Sequence, residues 1–124
     1  MQHRSLAMAF VLLMLVGIQS ASAVRVLELL ERSYELLLSD ASLPRSAGGS
    51  VTFKACAECE TESIVVTAST RYFLGDQTVS LAEFRQHAQA LAQQGAEERT
   101  LLMVHYDIDT RRATRLRMTT FPVR

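Results

Sequence analysis

Tryptophan is missing from this chain, lysine occurs once, cysteine and proline twice each, and glycine five times. Each scarcity closes off a class of function. Three tyrosines and five phenylalanines, partly needed for a core, are too few for the stacking platform that single-stranded nucleic acid uses. Thirteen basic side chains balance thirteen acidic ones, so no bulk attraction draws the protein to a polyanion. No phosphate-cradling glycine loop is present. Serine, histidine and aspartate never fall together with supporting context, and carboxylates come close only in an acidic turn and a hairpin tip. At 124 residues there is no room for a two-domain enzyme. What remains is a small domain with one modest core and no assignable catalytic residue.

The most specific stretch is the first. His3 and Arg4 precede an unbroken apolar run from Leu6 to Ile18, and Ala21, Ser22 and Ala23 supply small residues at cleavage positions. The pattern predicts a secretory signal peptide over 1–23, cut after Ala23. The run is shorter than the roughly 20 residues a spanning helix needs, so no transmembrane segment is expected after cleavage. Twelve of the thirteen basic residues are arginine, a usage that fits a GC-rich bacterial genome. Export then means a periplasmic or secreted location, with oxidising conditions.

In 24–39, Val26, Leu27, Leu30, Tyr34, Leu37 and Leu38 recur at helical spacing, with Arg25, Glu28, Glu31, Arg32 and Glu35 mostly opposite. An amphipathic helix is expected there. Leu29 and Leu36 widen its stripe, so it should dock on its own domain or on a partner, and self-association through this helix stays open. Pro44, Gly48 and Gly49 interrupt 40–50, which reads as a linker.

From Val51 the period becomes two. Val51, Phe53 and Ala55 alternate with Thr52, Lys54 and Cys56, Ser63 to Ser69 is rich in β-branched residues, and Thr70 to Leu74 begins a third strand. Gly75, Asp76 and Gln77 form the next turn. Ser80 and Glu83 then make a capping box, Leu81, Phe84, Ala88 and Leu91 form one apolar stripe, and Gly95 stops the helix. This helix should cover a face of a sheet. Leu101 to Asp107 is apolar on both faces for part of its length, as an interior strand is. Asp107 to Arg112 turns, and Thr114, Leu116 and Met118 alternate with Arg115 and Arg117 on the return.

Three strands, a helix and two strands match the OB-type arrangement. The sequence therefore predicts an α+β protein: a small five-stranded OB-like β-barrel over 51–120, one helix between strands 3 and 4, and the amphipathic helix in front. Thr70, Arg71, Tyr72, Gly75, Val79, Ser80, Leu81, Val104, Tyr106, Asp107 and Thr114 carry a further resemblance. About half the chain resembles the small OB-like β-barrel domains of exported bacterial proteins of unknown function, from which it departs in a longer helix and a cysteine pair. The resemblance implies a fold and no chemistry.

Cys56 and Cys59 form a C-x-x-C, to be read as a local disulfide, a redox dithiol or half a metal site. Glu58, Glu60 and Glu62 disfavour a thiolate, and no thioredoxin-like pattern surrounds the pair. A metal needs two more ligands, and Glu58, Glu60, His87 and His105 stand at no recognised spacing, so neither metal nor cofactor is assigned. A disulfide closing a tight turn is the reading that remains simplest, provided the chain bends there. The second candidate is a face of arginines. Alternation groups Arg111, Arg115 and Arg117, and Arg71 joins them if its strand lies alongside; the alternative is a solvated edge whose charge limits aggregation. The sequence thus points to an exported, non-enzymatic binding or interaction module for a protein or anionic ligand. The rival is a periplasmic thiol/disulfide or metal-handling protein using Cys56 and Cys59.

Overall fold

The computed structural model describes residues 31–123. The expected signal peptide over 1–23 and the first part of the expected amphipathic helix lie outside the described residues. Among these residues eight strands and one α-helix follow in the order β1 (Glu31–Leu37), β2 (Ala41–Ser42), β3 (Ser50–Lys54), β4 (Thr61–Val65), β5 (Arg71–Leu74), β6 (Gln77–Val79), α1 (Leu81–Gln93), β7 (Thr100–Asp107) and β8 (Ala113–Thr120).

They build two sheets. The larger has the order β1-β7-β8-β5-β6, the smaller β2-β3-β4. Within the larger sheet β5 runs parallel to β8, and the other pairs are antiparallel. This corrects the OB-like barrel. β1 and β6 are the two edges of an open sheet, no barrel closes among the described residues, and α1 follows the sixth strand rather than the third.

The expected helix over 24–39 is also corrected where it is described, because Glu31–Leu37 is a strand paired along its whole length with β7. Its leucines and glutamates favour a helix locally. Pairing with β7 instead sends Leu36 into the core, with Tyr34 half-buried beside it, while Ser33, Glu35 and Leu37 face away. Tertiary burial outweighs a few tenths of a kcal/mol of propensity per residue. The stretch expected as a linker contributes β2 and a fully buried Pro44, and Gly48 and Gly49 both bond to Val66 backbone.

The core lies between the large sheet and a second layer made of α1 and the small sheet. Leu102, Val104, Leu116, Met118 and Tyr72 from the large sheet meet Phe84, Ala88 and Leu91 from α1 and Val51, Phe53 and Ile64 from the small sheet. Rings mark both contacts, with Tyr72 and Phe84 centroids 5.2 Å apart and Tyr34 and Phe53 4.8 Å apart. The helix begins and ends as its sequence dictates. Ser80 Oγ accepts from the Glu83 N–H at 3.1 Å and Glu83 Oε2 accepts from the Ser80 N–H at 3.3 Å. At the other end Ala96 N–H donates to Leu91 O at 2.8 Å across Gly95, whose φ of +68° suits glycine. That helix is too short to cross a membrane, and no other described helix is long and apolar enough.

Candidate functional site

The layers leave the other face of the large sheet uncovered among the described residues. Strand alternation sends Ser33 and Glu35 of β1, Leu101, Met103 and His105 of β7, Arg115 and Arg117 of β8, and Arg71 and Phe73 of β5 to this outer side. Register then sets the neighbours. Ser33, His105, Arg115 and Arg71 form one row, and Glu35, Met103, Arg117 and Phe73 form the next.

Three of the four expected arginines therefore come together. The Arg71 guanidinium carbon lies 5.3 Å and that of Arg117 5.0 Å from the centroid of the Phe73 ring, so both cations stack on one aromatic. Arg117 also reaches the Asp76 carboxylate at 3.7 Å, and Arg115 Nε stands 3.5 Å from Glu31 Oε1. The Nε atoms of Arg115 and Arg117 are nonetheless closed off from solvent with no hydrogen-bond partner among the described residues; the Glu31 contact is an ion pair without hydrogen-bond geometry. Their Nη atoms are the natural docking points for an oxyanion.

Arg111 is placed elsewhere. It closes the hairpin turn with φ +53°, and its guanidinium carbon lies 5.6 Å from the ring of Tyr106, which belongs to the inner face. The cause is one extra residue. Pairing shifts between His105 and Tyr106 so that Thr114 has no partner opposite, and such a bulge inverts the alternation beyond it. Thr114 Oγ1 uses its freedom to donate to Glu31 Oε1 at 2.9 Å. Asp107 and Asp109 sit at the same turn, where Asp107 Oδ1 accepts from the N–H groups of Asp109 and Thr110 at 2.9 and 3.0 Å. The Thr110 backbone bond, then that from Asp109, holds the Asp107 carboxyl below its usual range.

His105 sits inside the arginine group with a side chain 16% exposed. Burial first, then the Arg115 charge, pushes its pKa below the ordinary imidazole value, while Glu31, 3.6 Å from Nδ1, pulls the other way. On the opposite side of the sheet the Glu62 carboxylate facing the Tyr34 hydroxyl, with burial, pushes that phenol up to about 12. Phe73 and His105 complete the site yet carry no motif. The one sequence signal was parity, since Arg71 and Phe73 stand two apart on a strand.

The second candidate pair is a disulfide. Cys56 and Cys59 are bonded across the β3–β4 turn, with Cα atoms 5.0 Å apart and Cys59 N–H donating to Cys56 O at 3.2 Å. β4 and not a helix follows them, so nothing there stabilises a thiolate. His87 lies exposed on α1, and no three metal-binding side chains converge among the described residues. Closing so short a loop constrains the unfolded chain by about 2 kcal/mol in the chain-entropy model. The double variant Cys56→Ser/Cys59→Ser should therefore lose about that much stability in urea denaturation and keep the outer face unchanged; loss of binding at the arginines would return attention to the thiols.

Two open grooves of about 600 and 290 Å³ flank α1 and share Arg45, Arg85 and Gln89. They lie on the helix side of the molecule, and Arg85 is already tied to the Arg45 carbonyl at 2.8 Å. Compared with protein-family models, curated proteins and solved structures, the chain gives no significant match.

Proposed function

We propose that this protein is an exported, non-enzymatic binding module that receives an oxyanion-bearing partner on the outer face of its large sheet. One observation carries the reading. Arg71 is the direct cross-strand neighbour of Arg115, with Arg117 one row away beside Phe73. Like charges in register destabilise a sheet by a fraction of a kcal/mol or more, and among the described residues only Glu31 and the exposed Asp76 answer the three cations. Phe73 and the neighbouring strands hold the guanidinium groups in place, so a carboxylate or phosphate arriving there meets donors already oriented. Export is supported by the residue pattern of 1–23, and a disulfide is at home in an oxidising compartment.

A titration of the ¹⁵N-labelled protein with hexaglutamate tests this. Amide shifts should concentrate on Arg71, Phe73, His105, Arg115 and Arg117. Arg117→Gln should weaken binding about threefold to tenfold, the scale of one exposed charge-assisted contact. Shifts confined to α1 or to the β3–β4 turn, or none at all, would overturn the proposal. The thiol reading has no comparable support, because the disulfide stands apart on an acidic, helix-free turn.

A further inference from the structure

The outer face is not uniformly basic. Glu31 and Glu35 line its β1 edge, Arg71 and Arg117 its β5 side, and Leu101 and Met103 lie half-buried between them. Glu35 is exposed and makes no ion pair among the described residues. Acid at one side, base at the other and apolar side chains in the middle make a surface that complements itself under a two-fold rotation.

We infer that the partner on this face is a second copy of the chain, packed sheet to sheet. The inference rests on the reading of the outer face as the binding surface. A two-fold axis parallel to the strands, above the boundary of β7 and β8, lays β1 of one copy over β5 of the other and β7 over β8. It leaves the rows aligned. Glu35 shares a row with Phe73, so the carboxylate of each copy comes down over the other copy's Phe73, between the guanidinium groups of Arg71 and Arg117. That is the oxyanion the arginines lack. An axis across the strands would instead set β1 over β1, placing Glu35 near its own symmetry mate. Aligned sheets normally cross at about 30°, which the long arginine side chains span.

The area bounds the strength. The four strands that overlap, at about 4.8 Å, and seven residues at about 3.3 Å give roughly 440 Å² in projection, below the ~800 Å² per partner of a standard stable interface. The dimer is therefore weak, in the micromolar range, and salt-sensitive because its specificity is ionic.

Sedimentation velocity of the full chain, as the cell processes it, over a concentration series tests the inference. Reversible dimerisation that weakens with added NaCl is expected. Glu35→Arg and Arg117→Glu should each weaken it more than tenfold, and an equimolar mixture of the two variants should restore it, since both ion pairs are then complementary. Arg71→Glu, at an exposed position, replaces Arg117→Glu if circular dichroism shows the latter unfolded. A wild-type chain monomeric throughout, a dimer indifferent to these charges, or variants that fail to rescue one another would overturn the inference. Hexaglutamate separates the two levels. A monomer that binds it at the arginines overturns the second copy and keeps the binding face, whereas a monomer that ignores it overturns both.

Discussion

Replacing Phe84 with alanine is expected to cost about 3–5 kcal/mol, a third or more of the stability of a typical small domain. The ring is fully buried, projects from the second turn of α1 and packs against Tyr72 on β5 at 5.2 Å between centroids. It is the one large aromatic that α1 places in the core, with Ala88 and Leu91 completing the stripe. Two small or aliphatic neighbours cannot close the cavity that its loss opens, so the cost lies toward the upper end of the range. With no tryptophan in the chain, far-ultraviolet circular dichroism is the signal to follow, and the melting temperature should fall by more than roughly 12 °C. A loss below about 1 kcal/mol would mean that α1 does not hold the second layer to the sheet.

The second large effect concerns the smaller sheet. Ile64 on β4 is fully buried opposite Val51 and belongs to the same continuous core as the large sheet. Truncating it to alanine should cost about 2–5 kcal/mol. Because the two sheets share that core, unfolding should stay a single transition, and slowly exchanging amides of β7 and β8 should lose protection by the same free energy. If the β3–β4 hairpin instead melted alone, with β7 and β8 unaffected, the small sheet would be an appendage rather than half of the second layer. The disulfide argues on the same side, since it pins the far end of that hairpin.

Several parts of the site were legible from residue order. Parity on β8 placed Arg115 and Arg117 on one outer face, with Leu116 and Met118 buried behind them. The capping box, the Gly95 stop and the apolar stripe of α1 depend on contacts three to six residues apart and appear where the sequence put them. The turn at Asp107 is equally local, held by an aspartate side chain bonding two and three residues ahead. The bent C-x-x-C closes its own turn. In each case the partner groups are neighbours along the chain, so composition and spacing suffice.

Tertiary structure decided the rest. Glu31–Leu37 has helical spacing and good helix formers, yet it is a strand, because pairing with β7 buries Leu36 in the core and packs Tyr34 against it. Arg71 reached Arg115 through parallel pairing of β5 with β8, a choice between strands more than thirty residues apart that no local period encodes. Arg111 left the group because Thr114 bulges, and one unpaired residue reverses every face beyond it. The open two-sheet arrangement replaced a barrel for the same reason. Local patterns state which side of each strand is apolar, but which strands become neighbours depends on how all the apolar sides are buried at once. By itself the sequence determined the faces; the gathering of Arg71, Arg115 and Arg117 on one of them was decided by which strands pair among the described residues.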